Sequence, residues 1–336
     1  MSSTWRPRWF NSTLLLLDEL AVSIDPKGLE GGGDLILISH AHGDHVAGFR
    51  LGGLKVCSEA TAELYHAQFG RSVSAKLQRL PSKLRFESLE LRLEEAGHIL
   101  GASQFQLYHP ERGCLTYTGD LNVEGSIIHR PPPVLDCDVL VVDATFGHPL
   151  LRFPSREELY EEVARWVSKS VEEGYTPVLH AHSVGKAQEV VKVLNEYLGL
   201  EPLVHPKVAR VSEVYLKHGV SLRFKPLKPP LEEGLRGCEV FVAPLLHKPL
   251  RAPFKKVRNA VVTGWASVFS YSAFDKALPL SGHSAFPELV SYIEAAGARK
   301  VYTLGYYAEE MAAWLRRRHK LEAEALSGRR ERARKP

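Results

Sequence analysis

Hydrophobic and polar positions along the chain fall into two textures. Up to about Phe146 it reads as short apolar or alternating runs punctuated by Gly and Pro. These are "STLLLLD", "LAVSID", "DLILIS", "LKVCS", "LELRLEEAG", "SQFQLYH" and "GCLTYTGD". Runs of this length between turn residues predict β-strands. "SEATAELYHAQFG" carries apolar residues at helical spacing, and "CDVLVVDATFG" is a continuous apolar strand ending in Asp143. This order predicts strands packed in layers with helices outside. Beyond Phe146, helices alternate with strands. "PSREELYEEVARWVSKSVEEG" opens with Ser155 and Glu158 at the spacing of a capping box. "YTPVLHAH", "GKAQEVVKVLNEYLG", "EPLVHP", "ARVSEVYLKHG" and "CEVFVAP" continue as a small parallel α/β unit. From about Lys276 the pattern returns to strand, histidine-bearing loop and helix, through "KALPLSGHSAFPELVSYIEAAG", "RKVYTLGYY" and "AEEMAAWLRRR".

Bulk properties narrow the class. A chain of 336 residues exceeds one usual domain core, so two domains, or one with a large insertion, are expected. Hydrophobic residues at 44% and charged residues at 24% fit a globular protein and exclude a disordered one. With a net charge of only +4, any basic surface must be local, as in the end "RRRHKLEAEALSGRRERARKP". That end reads equally as a phosphate-attracting cluster and as a solvated tail. Cys57, Cys114, Cys137 and Cys238 form no CxxC pair and read as reduced, buried thiols. The four leucines near the N-terminus, followed by Asp18 and Glu19, are too short and too acidic a run for a signal peptide or a membrane span. A cytoplasmic protein without membrane contact is expected.

The chemistry concentrates at strand ends. "SHAHGDH" places His40, His42, Asp44 and His45 within six residues after an apolar strand. Alternate strand residues share a side, so His40 and His42 converge. Gly43 is expected to allow a sharp turn that brings Asp44 and His45 in from the other side. Imidazoles and carboxylates in this arrangement suit two adjacent metal ions. His98, between two glycines, and Asp120, in "TYTGD", also sit at strand ends. Taken alone, His98 reads equally as a satisfied core histidine and Asp120 as a turn residue. With the first cluster they assemble two sets. His40, His42, His98 and Asp120 make one, and Asp44, His45 and the shared Asp120 make the other.

In this order "HAHGDH", "GHILGA" and "TGD" resemble the metallo-β-lactamase fold. "VLVVDATFG", "GKAQE", "TGWAS" and "LSGHSAF" are similar to its β-CASP branch, nucleases that process DNA and RNA. The wording resembles ligase-associated DNA exonucleases and Artemis-like DNA-repair nucleases, over about Leu14 to Leu326. The resemblance implies an α/β protein: a four-layer αββα fold in two segments, 1–146 and 272–326, around an inserted β-CASP α/β domain at 147–271. A basic tail at 327–336 follows. It also implies one or two divalent metals, zinc at the imidazole-rich set and zinc, Mn²⁺ or Mg²⁺ at the other. Asp44, Asp120, Asp143 and His283 are then expected to carry catalysis. Asp143 would hold the His283 ring in one tautomer and favour its protonated form. The family usually has Glu where Asp143 stands, one methylene longer. Many members also carry a histidine where Leu304 stands here, so the second metal set is expected to be incomplete. An aliphatic residue at that place resembles the DNA-acting members.

Ser183, Gly185 and Lys186, at a strand-to-helix turn, and Gly264, in "TGWAS", are expected to bind phosphate through backbone amides and one ammonium. Ordinary turns are the alternative at both places. His180 and His182 read as phosphate contacts or as core or surface residues. Trp5, Arg6, Arg8 and Trp9 interleave bases with aromatics as in single-strand binders, or form a docked terminus. The expected activity is hydrolysis of DNA from a 5′ end by a monomer, with DNA-repair proteins as partners. An RNA-processing nuclease and a decayed nucleic-acid-binding scaffold are the alternatives.

Overall fold

In a computed structural model, the chain is described at residues 5–9, 13–17, 20–28, 32–228, 236–246, 248–252 and 255–326. The expected basic tail, 327–336, lies outside the described residues, as does the side chain of Trp9.

Two mixed sheets stack in the first and last parts of the chain. The first runs in the order β1 (Arg8–Trp9), β2 (Thr13–Leu17), β3 (Leu20–Ile24), β4 (Leu35–Leu37), β5 (Leu54–Ser58) and β6 (Lys76–Gln78). The second contains β7 (Ser82–Phe86), β8 (Leu89–Glu95), β9 (Ser103–His109), β10 (Gly113–Tyr117) and β11 (Val139–Asp143). Val22, Ile24, Leu35 and Leu37 of the first sheet meet Leu91, Leu93, Phe105, Leu107 and Val141 of the second, all buried. Fully burying each such side chain contributes about 1.5–3 kcal/mol. The strand β11 reads as an unbroken apolar run because both its faces are covered. Val139 and Val141 face the other sheet, and Leu140 and Val142 face helices.

The outer faces are helical. Helix α1 (Glu59–Phe69) brings Ala62 onto Ile36, Ile38 and Cys57 of the first sheet. Ser58 caps it by accepting from the amide of Thr61. The resulting order, helix, sheet, sheet, helix, is that of a four-layer α/β protein.

The parallel α/β stretch follows β11. Helix α2 (Arg156–Glu172) starts with the expected capping box between Ser155 and Glu158. The third sheet comprises β12 (Thr176–Ala181), β13 (Leu203–Val204), β14 (Lys225–Pro226), β15 (Phe241–Pro244), β16 (Val257–Val262) and β17 (Lys276–Leu278), all parallel. Helices α3 (Lys186–Leu198) and α4 (Pro206–Lys217) join α2 over Leu179, Ala181, Val242 and Val262. The chain then rejoins the second sheet. Helix α5 (Phe286–Ala296), β18 (Lys300–Leu304), helix α6 (Ala308–Arg318) and β19 (Glu322–Ala325) complete it. Leu289 and Ile293 of α5 and Met311 and Leu315 of α6 cover Leu140 and Val142.

Trp5 is docked rather than displayed for a ligand: it is 1% exposed, with its indole N–H donating to the Gly113 carbonyl at 3.0 Å. All four cysteines are free; Cys57 and Cys238 are buried, whereas Cys114 and Cys137 are only half-buried. No helix among the described residues is long and apolar enough to cross a membrane.

Candidate metal centre

His40 follows β4, His98 follows β8, Asp120 follows β10, and Asp143 and Leu304 end the paired strands β11 and β18. The ends of β12 and β16 face them across a cavity of about 880 Å³, lined by His182 and Thr263 among others.

At its floor three imidazoles converge. His42 Nδ1 lies 3.1 Å from His40 Nε2 and 3.1 Å from His98 Nε2. Asp120 Oδ2 is 3.3 Å from His40 Nε2 and 3.4 Å from His98 Nε2. Hydrogen bonds on the far sides fix each tautomer. His98 Nδ1–H donates to the Gly282 carbonyl at 2.6 Å, and His42 Nε2–H to the Val184 carbonyl at 3.3 Å. His40 Nδ1–H donates to Ser39 Oγ at 2.9 Å, and Ser39 Oγ–H donates onward to Asp25 Oδ2 at 2.5 Å. Three lone pairs and a carboxylate therefore point at one another with no proton between them, an arrangement that repels itself without a cation. Tetrahedral zinc, with zinc–nitrogen bonds of about 2.0–2.1 Å, needs donor separations of about 3.3 Å. The donor set fits a divalent metal in chemistry and spacing.

The second expected set is looser. His45 Nε2 is 3.6 Å from Asp44 Oδ2 and 3.7 Å from Asp120 Oδ1, and the Asp44 side chain is 69% exposed. Among the described residues, Asp44 joins no group of three donors within 4.8 Å of one another. Leu304 lines the cavity and offers no donor. Although burial works against it, Asp120, Asp44 and Asp25 push the His45 imidazole up to about 10. The carboxylates thus draw a positive charge to this place, and a cation is one way to supply it. The turn at Gly43 differs from expectation. Its φ is not left-handed and a Cβ there meets nothing, so the turn does not require glycine.

Asp25 escaped the sequence reading. Buried at the end of β3, it accepts the Ser39 amide at 2.7 Å, His45 Nδ1–H at 2.9 Å and Tyr117 O–H at 2.9 Å, besides Ser39 Oγ–H. It orients His45 directly and His40 through Ser39. Its only signal in the sequence is an acid closing an apolar strand.

Asp143 reaches His283 despite its shorter side chain, with Nδ1 to Oδ2 at 2.7 Å. Its other oxygen accepts the Thr145 amide at 2.8 Å. Burial disfavours a charged His283, yet Asp143 and Asp120 raise its imidazole above the ordinary value. His283 Nε2 lies 3.8 Å from Asp120 Oδ2, beside the floor.

The four expected phosphate contacts divide. Lys186 and Gly264 line the cavity, whereas Ser183 and Gly185 do not. The Gly185 amide is already used, donating to Gln188 Oε1 at 2.8 Å. Lys186 is 8% exposed and pairs with Glu189 at 2.6 Å, and Arg156 binds the other Glu189 oxygen at 2.6 Å. His182 lines the cavity, with its ring centroid 6.3 Å from that of His42. His180 is a core residue, fully buried and bonded to Asn259 Oδ1 at 2.9 Å.

No family model matches the chain. It is 32% identical over 303 residues to a "Probable DNA ligase" of Opitutus terrae, covering 86% of this chain and 28% of that protein. It is 25% identical over 194 residues to an "RNase J-like protein" of Methanocaldococcus jannaschii, covering 52% of this chain and 46% of the relative. The chain thus spans less than half the length of these relatives. A solved protein of unknown function from Enterococcus faecalis V583 shares the fold, with a TM-score of 0.64, 12% identity and 97% of each chain covered. Taken with the four-layer fold and the histidine-rich strand ends, these likenesses agree: the chain belongs to the β-CASP branch of the metallo-β-lactamase superfamily.

Proposed function

We propose that the protein is a metal-dependent nuclease that hydrolyses phosphodiester bonds of DNA, in preference to RNA, from a 5′ end. The observation that carries this reading is the convergence of His40, His42, His98 and Asp120 on one point beside the Asp143–His283 pair. These four residues would hold a divalent metal, which when bound supplies a Lewis acid that neutralises a phosphoryl oxygen and acidifies water. Three imidazoles favour zinc there. Asp44, His45 and Asp120 offer a sparser set for a second ion, zinc, Mn²⁺ or Mg²⁺.

The chain's own groups do the rest. Asp143 anchors the Nδ1–H of His283, so the imidazolium form turns its Nε2–H toward the cavity. From there it can donate to a phosphoryl oxygen during attack by water. It can then give its proton to the departing 3′-oxygen as the P–O bond breaks. Lys186 lines the opposite wall and is held in place by Glu189, so it serves as a positioned donor more than as a free charge.

The preference for DNA rests on the relative named a probable DNA ligase, which matches most of this chain, and on Leu304. An RNA-processing nuclease is the second reading, favoured by the RNase J-like relative. The proposal includes the division of the chain into 1–146 with 272–326 and an inserted 147–271, and action as a monomer beside DNA-repair proteins. Digestion of 5′- and 3′-labelled DNA and matched RNA with zinc, Mn²⁺ or Mg²⁺ tests it. We expect DNA to be shortened from its 5′ end. His42→Ala and Asp120→Asn proteins that degrade DNA as fast as wild type would overturn the reading.

A further inference from the structure

The cavity above the metal ligands has two unlike sides. His42, His98, Asp120 and His283 make one side polar, while Phe146, Trp265, Leu304 and Tyr306 make the other apolar. The aromatic rings touch in series. Phe146 and Trp265 have centroids 4.7 Å apart, and Trp265 meets Tyr306 edge-on at 5.1 Å. Phe146 also lies edge-on to His283 at 5.9 Å, so the series begins one ring away from the Asp143–His283 pair.

Two glycines enforce this placement. A Cβ at Gly264 would come within 2.9 Å of the Phe146 ring, so glycine lets the Trp265 turn dock there. Gly305 has φ +103, and a Cβ would lie 2.9 Å from the Thr145 amide. That tight junction sets Tyr306 beside Trp265. Phe146 is fully buried and holds the base of the series, but Trp265 and Tyr306 are only half-buried. Neither ring is part of the hydrophobic cores among the described residues. Trp265 also meets Phe269 at 5.6 Å and Tyr306 meets Tyr307 at 4.8 Å, and both Trp265 and Tyr306 line the cavity.

We propose that Trp265 and Tyr306 form an angled ledge on which a nucleobase of the substrate strand packs, face-on to one ring and edge-on to the other, next to the phosphate that would sit over the histidine cluster. This rests on the nuclease reading above. The chemistry that fits is a flat aromatic base joined to a phosphodiester. The ledge takes the base and the polar floor takes the phosphate. Any base offers a π-face, so the ledge requires a base without reading which one it is. Losing such a stack costs roughly five- to 150-fold in affinity.

The test titrates fluorescein-labelled hexathymidylate and an abasic hexamer of tetrahydrofuran phosphates by anisotropy, in EDTA so that neither is cut. The proteins are wild type, Trp265→Ala, Tyr306→Ala and Trp265→Phe. Wild type should prefer the thymidylate by about tenfold or more. The alanine variants should lose that preference and keep wild-type affinity for the abasic strand, and Trp265→Phe should retain most of it. Equal affinity of wild type for both strands, or binding to neither, overturns the ledge. So does a wild-type preference in the alanine variants. A parallel cleavage assay with Mn²⁺ separates the two ideas: a base preference without cleavage counts against the nuclease alone, and base-independent binding with cleavage counts against the ledge alone.

Discussion

Asp25→Asn is the sharpest test of how the metal centre is built. The substitution keeps shape and removes one charge. In the protein, Oδ2 accepts three donors, from Ser39 Oγ at 2.5 Å, His45 Nδ1 at 2.9 Å and Tyr117 OH at 2.9 Å, while Oδ1 accepts the Ser39 amide at 2.7 Å. An amide has one accepting oxygen and one NH₂. Its better orientation gives the oxygen to the three-donor side and sets the NH₂ against the Ser39 N–H. One charge-assisted bond worth about 1.5–3 kcal/mol is then lost, and a buried donor is left unpaired at a further 1–3 kcal/mol or so. We expect metal-free Asp25→Asn to be less stable by about 3–5 kcal/mol, a drop in melting temperature on the order of 10 °C. His45 also loses the carboxylate that anchors its ring, so zinc affinity should fall about 10- to 100-fold. Denaturant unfolding in EDTA followed by circular dichroism, and zinc competition against a chromogenic chelator, give the two readouts. Tyr117→Phe removes a single donor and serves as the mild control, expected within about 1.5 kcal/mol of wild type. A stability loss under 1 kcal/mol together with unchanged zinc affinity would refute the role assigned to Asp25.

Three further outcomes follow from the same geometry. Asp143→Asn should cut turnover about 100-fold or more in labelled-DNA assays while bound zinc, read by metal analysis, stays at the wild-type level; unchanged turnover would remove His283 and its partner from the chemistry. Leu304→His should raise bound metal per chain and tighten the weaker binding step in a zinc titration; no change would show that Leu304 is not what limits the Asp44–His45 set. Glu189→Gln leaves buried Lys186 and half-buried Arg156 without their counter-charge and should cost about 3–5 kcal/mol near neutral pH. Despite burial, Lys186 and Arg156 lower the Glu189 pKa from its ordinary 4.5, so this contribution is fully present above pH 4.5 and is lost as pH falls through the folded value. The gap between wild type and variant in denaturant titrations should therefore close in acid, and a gap that widens there would be the wrong sign.

The sequence made the candidate ligands legible and hid what holds them. His40, His42, Asp44 and His45 stand out because four ligand-type residues crowd one strand end, and His98 and Asp120 follow by position. Asp25 looks like any acid closing a strand, since its four donors arrive from Ser39, His45 and Tyr117 only on folding. His180 and His182 look alike in "HAH", but β12 ends between them. His180 stays beneath Asn259 and the edge of Phe274, whereas His182 leaves the strand and enters the cavity. The Gly185 amide read as a free donor because nothing local shows that Gln188 turns back to cap it. The strands β6, β7 and β19 went unread for a simpler reason. "KLQ" is almost wholly exposed, and "SKLRF" and "EAEA" alternate over only two apolar positions each, so these short edge segments carry too few apolar residues to stand out.

The same hydrogen bonds tie the chain beyond β11 to the candidate ligands. Val184, between β12 and α3, provides the carbonyl that fixes the tautomer of His42, and Gly282, beyond β17, provides the one that fixes His98. Arg156 of α2 ties Asn122 Oδ1 and the Ser281 carbonyl to the Glu189–Lys186 pair, joining the loop after Asp120 and the loop carrying His283 to the parallel sheet. The strands that carry His40, His42, His98 and Asp120 therefore supply the donor atoms but not all of their aim. A histidine aims a lone pair inward only while its other nitrogen is engaged, and for two of the three imidazoles that engagement comes from residues beyond 146. Without the Val184 carbonyl, His42 Nε2–H would be unpaired, the other tautomer would open, and Nδ1 would become a donor facing His40 and His98.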